Sequence, residues 1–154
     1  IGHSENRSNG ESDLIINKKI RSALNANLKV IFCIGEKLSD KKKKNTYNVL
    51  KKQINHGLKS IKKLDSIIFA YEPVWSIGTG IIPKNLELRV NINNIKKILS
   101  KLKKSIKPKI LYGGSVNPKN VKELAQIKEI NGFLVGGSSL SAKKFIDIIQ
   151  KSIN

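Results

Sequence analysis

The feature of this sequence that most constrains its fold is an alternation of short apolar runs with longer amphipathic stretches. The apolar runs are continuous, which is typical of strands buried on both faces of a parallel sheet. They lie at 29–34, 67–71, 109–112 and 132–135. Helices are predicted at 12–25, 46–61, 85–102, 120–127 and 142–152. The pattern predicts an α/β fold with a parallel sheet and right-handed crossovers, in a single domain over residues 1–154.

Two local patterns support the predicted helices. In 85–102 the apolar residues recur at steps of three and four, which predicts one buried face opposite a face of lysines; they are Leu88, Ile92, Ile95, Ile98, Leu99 and Leu102. Ser12 is followed by Asp13, a cap with an acidic first turn. The run Lys41–Lys44 is interpreted as a solvated loop.

The charge of the chain is strongly positive, with 30 Lys and Arg against 11 Asp and Glu. Such an excess raises the possibility of a polyanionic partner. However, only three of the 30 are Arg, the residue that forms bidentate hydrogen bonds with phosphates and bases. The aromatic residues are not interleaved with the lysines as a base-stacking surface requires. We therefore expect no specific nucleic-acid partner, and a basic binding module remains an alternative that depends on charge alone.

The cysteine and methionine content bears on location and on the chain's ends. Cys33 is the single cysteine, so it has no internal disulfide partner, which fits a reduced, cytoplasmic protein. The apolar run at 66–71 is far shorter than the ~20 residues of a membrane span, and we expect no membrane partner. Because the chain begins with Ile1 and contains no Met, we expect it to be part of a longer or matured protein.

Glycines and carboxylates follow the predicted strands at the point where each strand ends. In parallel α/β folds ligands bind at this edge of the sheet. Paired glycines before a helix offer bare backbone N–H groups, which suit a phosphate. Two such pairs, 23 residues apart, predict one phosphate site between neighbouring strands. The segments are Gly35-Glu36, Glu72-Pro73, Gly113-Gly114-Ser115 and Gly136-Gly137-Ser138.

Five segments in this order resemble motifs of the triosephosphate isomerase family. They are residues 1–7 (IGHSENR), 33–36 (CIGE), 70–80 (AYEPVWSIGTG), 111–118 (LYGGSVNP) and 132–137 (GFLVGG). The resemblance implies a (β/α)8 TIM barrel, which takes about 250 residues. Residues 1–3 resemble the end of its fourth strand. The chain is therefore expected to be an incomplete barrel that lacks about the first three β/α units, including the family's asparagine and lysine after strand one.

The resemblance also assigns chemistry to two residues. Glu72 corresponds to the base that moves a proton between two carbons of a triose phosphate, interconverting dihydroxyacetone phosphate and D-glyceraldehyde 3-phosphate through an enediolate. His3 corresponds to the electrophile at the substrate carbonyl; this family is itself the standard example of a histidine kept neutral by a helix N-terminus. Ser4, Glu5 and Cys33 correspond to supporting positions. Glu5 is expected to be a buried carboxylate whose partner is outside this chain.

A mobile lid and a phosphate site complete the resemblance. Gly78, Ser115, Gly136 and Gly137 correspond to phosphate-binding positions. Trp75 is expected to be an apolar anchor of the lid, and Ser76 stands where the family commonly has Ala. The other lid residues are Pro73, Val74, Ile77, Thr79 and Gly80. The reaction implies no metal and no organic cofactor.

The implied enzyme acts in glycolysis and gluconeogenesis, on a small triose phosphate, and the full-length protein is expected to be a homodimer. Because the family's lysine is outside the chain, the 154 residues alone are expected to be inactive. One alternative enzyme class stays open, a phosphate-binding barrel that acts as a lyase or synthase. The paired glycines fit that class, whereas the segments at Glu72 and His3 do not.

Overall fold

A computed structural model describes residues 1–153 of the chain. Three strands alternate with helices in the order predicted. The strands are β1 (Val30–Ile34), β2 (Ile67–Tyr71) and β3 (Ile110–Tyr112). The helices are α1 (Ser4–Ser8), α2 (Asp13–Asn25), α3 (Leu38–Lys42), α4 (Thr46–Gly57), α5 (Asn85–Leu102), α6 (Val121–Ala125) and α7 (Ala142–Ile153). Short 3-10 helices cover Leu64–Ser66, Val74–Ser76 and Gly137–Leu140.

The three strands form a parallel sheet in the order β1-β2-β3, as predicted. Phe32 of β1 is opposite Phe69 of β2, which is opposite Ile110 of β3, and all three are fully buried. The start of the chain continues the sheet beyond β1, because the amino group of Ile1 donates to the Ile31 carbonyl at 2.8 Å. The Cys33 N–H in turn donates to the Ile1 carbonyl at 2.9 Å. This pairing places His3 at the carboxyl edge of the sheet.

The predicted strand at 132–135 is wrong as a regular strand. It makes one isolated parallel bridge, between Phe133 and Tyr112. The Tyr112 N–H donates to the Gly132 carbonyl, and the Leu134 N–H donates to the Tyr112 carbonyl. The segment therefore pairs with β3, but the pairing is too short to continue as a ladder. It still carries Gly136 and Gly137 to the same edge as the other strand ends.

The helix pattern was predicted closely where the apolar stripe was long. α5 has the predicted bounds, and its stripe is buried except at Leu102, which is 46% exposed at the helix end. The Ser12 cap is confirmed, since its Oγ accepts from the Ile15 N–H at 3.4 Å. α4 ends at Gly57 rather than 61, because Leu58 leaves the helical conformation there.

The interpretation of Lys41–Lys44 as a loop is wrong for its first half. Lys41 and Lys42 form the last turn of α3, which begins after Lys37. A cationic last turn is favourable to a helix because its carbonyl end is negative. The Asp40 carboxylate accepts from the Lys37 N–H at 3.3 Å and supports the first turn. The sequence pattern missed α3 because five residues are too few to show a helical period.

One glycine is required by a close approach of two strand ends. A Cβ built on Gly35 would lie 1.8 Å from the Glu72 carbonyl oxygen, a backbone atom that cannot swing aside. The Gln53 side chain holds the glycine there, since its Oε1 accepts from the Gly35 N–H at 2.9 Å and its Nε2 donates to the Gly35 carbonyl at 3.0 Å. Only a residue without Cβ lets β1 and β2 end side by side.

Gly35→Ala is therefore expected to lower the free energy of unfolding by about 2 to 3 kcal/mol, the typical cost of forcing extra atoms into a packed site. Urea unfolding followed by circular dichroism measures this. Gly137→Ala is the matched control, because Gly137 lies in a 3-10 helix without a positive φ and has open space around its built Cβ. Equal unfolding midpoints for the two variants would contradict the packing argument.

No helix within residues 1–153 is long and apolar enough to cross a membrane.

Candidate active site

A cleft of about 610 Å³ opens at the carboxyl ends of the strands. It brings together residues that are far apart in the sequence, as predicted. His3 and Glu72 are in its wall together with Gly78 of the lid. The two glycine-rich loops complete the wall, with Ser115, Gly136 and Gly137 facing the same space. One parallel sheet edge therefore presents a carboxylate, an imidazole and bare backbone N–H groups to a single volume.

Glu72 follows β2 directly and is only 4% exposed. Its Oε1 is 3.8 Å from His3 Nε2, and its Oε2 is buried without a hydrogen-bond partner among the described residues. Burial raises the pKa of the Glu72 carboxyl above its ordinary value, and the nearby His3 opposes this shift in part. Gly113 packs against the same side chain, since a Cβ there would be 2.7 Å from Glu72 Cγ. A buried carboxylate with a free oxygen is suited to accept a proton.

His3 is the cap residue at the start of α1. Its Nδ1 accepts a long hydrogen bond of 3.4 Å from the Glu5 N–H. Because a nitrogen that accepts carries no proton, the neutral ring holds its proton on Nε2. Nε2 is the atom that faces Glu72 in the cleft. The imidazole can therefore donate a hydrogen bond to an oxygen of a bound molecule.

The expectation of a buried Glu5 is wrong. Its side chain is 84% exposed, and its Oε2 is 3.8 Å from His3 Nδ1. Glu5 lies in the first turn of α1, whose short length leaves no buried residue in that helix. Ser4 begins the same helix and borders a small crevice with Glu72. In this chain Glu5 touches the site through its backbone N–H on His3 and not through a buried charge.

The lid begins beside Glu36, which is fully buried. The Glu36 carboxylate accepts from Trp75 Nε1 at 2.8 Å and from the Tyr71 hydroxyl at 3.0 Å. Asn91 Nδ2 of α5 donates to the same hydroxyl at 2.8 Å. Burial raises the pKa of Glu36, while the hydrogen bonds from Trp75 and Tyr71 oppose this shift. Trp75 is therefore held by a hydrogen bond to a buried carboxylate. Asn91 is a buried polar residue in the apolar face of α5. This interruption of the apolar pattern is the sequence signal that could have indicated the network.

Lys41 also contacts the lid, a role that the sequence analysis missed. Its Nζ lies 3.7 Å from the centre of the Trp75 ring, within the range of a cation–π interaction. The same ammonium group pairs with the Glu87 carboxylate of α5 at 2.7 Å. Lys41 thus bridges the lid tryptophan to α5. The pair Lys41–Glu87 joins residues 46 positions apart, so no local pattern could reveal it.

Cys33 lies close to Glu72, behind the lining of the cleft, and is 4% exposed. Burial raises the pKa of its thiol to about 12, and the Glu72 charge adds to this shift. A thiol with that pKa is almost entirely protonated at neutral pH and therefore a poor nucleophile. Cys33 is therefore a buried, protonated thiol close to Glu72, and its supporting role remains a prediction.

The lid loop itself is exposed at its tip. Gly78 and Gly80 have φ values of +69° and +77°, which side chains rarely adopt. The Thr79 hydroxyl donates within the loop to the carbonyls of Trp75 or Ser76, and accepts from the Ile81 N–H at 3.2 Å. The loop is thus a compact unit whose tip borders the cleft. Within residues 1–153 no group of three or more His, Cys, Asp or Glu is placed to hold a metal ion.

Comparisons with known proteins agree with this geometry. A profile of the triosephosphate isomerase family matches residues 1–152. The chain belongs to the triosephosphate isomerase family. It is 43% identical over 155 residues to the triosephosphate isomerase of Thermodesulfovibrio yellowstonii, and 44% identical over 156 residues to that of Dictyoglomus thermophilum. The crystal structure of the Bartonella henselae triosephosphate isomerase superposes with a TM-score of 0.89 at 34% identity.

The comparisons also fix the extent of the match. The two bacterial relatives match 97% of this chain, which spans 62% and 63% of their own lengths. The Bartonella structure covers the whole chain, which spans 63% of that protein. The three-stranded sheet of this chain is therefore part of an incomplete (β/α) barrel. The strand order and the cleft at the strand ends both belong to that architecture.

Proposed function

We propose that the protein containing this chain is a triose-phosphate isomerase, an intramolecular oxidoreductase that interconverts dihydroxyacetone phosphate and D-glyceraldehyde 3-phosphate. The observation that carries the proposal is Glu72 beside His3. The carboxylate is buried, has one free oxygen, and lies 3.8 Å from the Nε2 that bears the imidazole proton. A base and an electrophile at that separation suit proton transfer next to a carbonyl group.

In the proposed mechanism Glu72 removes a proton from the hydroxyl-bearing carbon next to the carbonyl. The electron pair moves to the carbonyl oxygen, which the Nε2–H of His3 stabilises, and an enediolate forms. Glu72 then returns the proton to the neighbouring carbon, and the proton on oxygen is exchanged through His3. The raised pKa of Glu72 strengthens it as a base compared with an exposed carboxylate, because burial removes water from the charged form.

The phosphate of the substrate is proposed to bind between the lid and the two glycine-rich loops. Gly78, Ser115, Gly136 and Gly137 all face the cleft that contains Glu72. Their backbone N–H groups are suited to an anion, because no Cβ keeps the phosphate oxygens away at the three glycines. Closure of the lid over this position would exclude water from the enediolate. No metal or organic cofactor takes part in the proposed steps.

Four further features of the protein are proposed. Residues 1–154 form one domain, supported by a hydrophobic core shared among α2, α4, α5 and the sheet. The full-length protein is a homodimer, an expectation that comes with the family. The protein is cytoplasmic, supported by the reduced single Cys33. Glycolysis and gluconeogenesis are the pathways in which such an isomerase would act.

The proposed function is tested in a completed protein, here meaning this chain fused behind the N-terminal part of the Thermodesulfovibrio yellowstonii relative that lies outside the match. Its addition makes up a barrel of about 250 residues. Turnover of dihydroxyacetone phosphate to D-glyceraldehyde 3-phosphate is expected in a coupled assay, without added metal. A substrate screen with phosphorylated lyase and synthase substrates is the control. Turnover of those substrates in place of triose phosphates would refute the proposed isomerase.

A further inference from the structure

The Ser76 hydroxyl lies at a junction of three parts of the site. Ser76 ends the 3-10 helix at the start of the lid and is fully buried. Its Oγ is 2.5 Å from the Ile81 carbonyl oxygen and 2.9 Å from the Tyr112 hydroxyl. The Ser115 N–H donates to the same Oγ at 3.3 Å. One side chain therefore contacts the far end of the lid, the end of β3 and a phosphate-binding loop.

The chemistry of these partners fixes the direction of each hydrogen bond. A hydroxyl has one hydrogen to donate and two lone pairs that accept. The Ile81 carbonyl can only accept and the Ser115 N–H can only donate. The hydrogen of Ser76 therefore goes to Ile81, and its lone pairs accept from Tyr112 and Ser115. The hydroxyl is fully satisfied and has a single orientation.

We propose that the Ser76 hydroxyl is a positioning residue that ties the two ends of the lid together and fastens them to β3. This inference rests on the proposed isomerase function for its kinetic part. The bond from Ser76 to the Ile81 carbonyl closes the segment Ile77–Gly80 into a loop of fixed width. The bond from Tyr112, itself fully buried, holds that loop over the strand end that precedes the phosphate-binding Ser115. An alanine, common at this position in the family, makes none of these bonds.

The hydrogen bond from the Ser115 N–H to Ser76 Oγ also bears on phosphate binding. It is the longest of the three at 3.3 Å, and it occupies a backbone N–H that the proposed function assigns to the substrate phosphate. A charged phosphate oxygen forms a stronger hydrogen bond than a hydroxyl does. Bound phosphate would therefore take this N–H from Ser76 and leave the bonds to Ile81 and Tyr112. Removing the hydroxyl should loosen the lid without weakening phosphate binding.

Ser76→Ala in the completed protein is expected to lower kcat about five- to tenfold, the effect of one or two ordinary hydrogen bonds on a barrier. KM for dihydroxyacetone phosphate should stay the same or fall, and competitive inhibition by inorganic phosphate should be as strong or stronger. Because partial unfolding would also lower the apparent kcat at unchanged KM, circular dichroism and the urea midpoint of each variant measure the folded fraction, and kcat is calculated for folded protein. Ser100→Ala, a serine exposed on α5 with a local bond to the Lys97 carbonyl, is the matched control and should leave both constants unchanged.

Two more measurements test the role of the Ser76 hydrogen bonds independently of the Ser76→Ala kinetics. Trp75, the one tryptophan of this chain, is next to Ser76. Ser76→Ala should therefore raise the quenching of Trp75 fluorescence by acrylamide about twofold in the completed protein, with any tryptophan of the added N-terminal part replaced by Phe. Tyr112→Phe should lower kcat in the same direction, and the double variant should be no slower than the slower single variant. If the wild type lacks isomerase turnover, the proposed function fails. The quenching result still decides whether the Ser76 hydroxyl holds the lid in place. Unchanged quenching, or kcat within twofold of wild type for Ser76→Ala, would overturn it.

Discussion

In the completed protein, Glu72→Gln is expected to lower isomerase turnover by about a thousandfold while leaving the fold intact. General bases contribute about 10² to 10⁴ to a rate, and the amide cannot accept the proton. The substituted side chain has nearly the same volume, so the packing against Gly113 is preserved. The coupled assay measures turnover, and circular dichroism measures the fold. Turnover within tenfold of the wild type would refute Glu72 as the base.

The same substitution should make the protein more stable at neutral pH. Because burial raises the folded-state pKa of Glu72, the fold favours the protonated carboxyl. The stability that this carboxyl contributes is present below its unfolded pKa of about 4.3 and is lost as the pH rises through its folded pKa. Gln has no charge to bury. Urea midpoints of Glu72→Gln and wild type should therefore separate at pH 7, with the variant higher, and converge at acid pH.

A matched control has the opposite sign. The pKa of Glu129 is lowered by a hydrogen bond with its own backbone, and Arg89, whose Nε is 3.1 Å away, lowers it further. Its stability contribution is present above its unfolded pKa and is lost as the pH falls through its folded pKa. Glu129→Gln should therefore not raise the urea midpoint at pH 7 and should leave turnover unchanged. Equal stability effects at Glu72 and Glu129 would show that the pKa of Glu72 is not raised in the fold.

The parts of the fold that were predictable are those with a long repeating signal. α5 has 18 residues, about five helical turns, and its apolar residues recur on one face along that length. Its bounds therefore follow from the sequence. β1 and β2 are continuous apolar runs, and four of the five residues in each strand are buried. The segment at 132–135 is also a short apolar run, but it forms only a bridge. Its pairing depends on neighbours in space, and Tyr112 is the only residue that it pairs with in the described sheet.

The site was predictable where its residues follow strands. Glu72, Ser115 and Gly136 each come just after an apolar run, and parallel strands carry such residues to one edge. The burial of a charge was not predictable in this way. Glu5 was expected to be buried and is exposed, whereas Lys41 was expected in a loop and packs on Trp75. Both outcomes depend on which distant surface a side chain meets, and the sequence around the residue does not encode that.

The 154-residue chain alone is expected to show less than about a thousandth of the turnover of the completed protein. The chain spans 62% of the Thermodesulfovibrio relative, and the lysine implied by the resemblance lies outside it. Charged groups aimed at a developing oxyanion contribute several kcal/mol, and each 1.36 kcal/mol is tenfold in rate. The assay compares the two proteins at equal concentration. Equal turnover would show that residues 1–154 contain everything the reaction needs.

The structure also predicts how the chain alone should behave in solution. α7 exposes an apolar face, with Ile149 44% and Ile153 78% exposed, beside a groove of about 420 Å³ that Phe133 and Phe145 help to line. An apolar face next to a partly paired strand favours association between chains. The chain alone should therefore elute as oligomers on size exclusion.

Adding the N-terminal part of the relative as a separate polypeptide should restore a defined species and turnover, and Glu72→Gln should abolish that recovered turnover. Recovery that survives Glu72→Gln would mean that the added part, and not this chain, supplies the base.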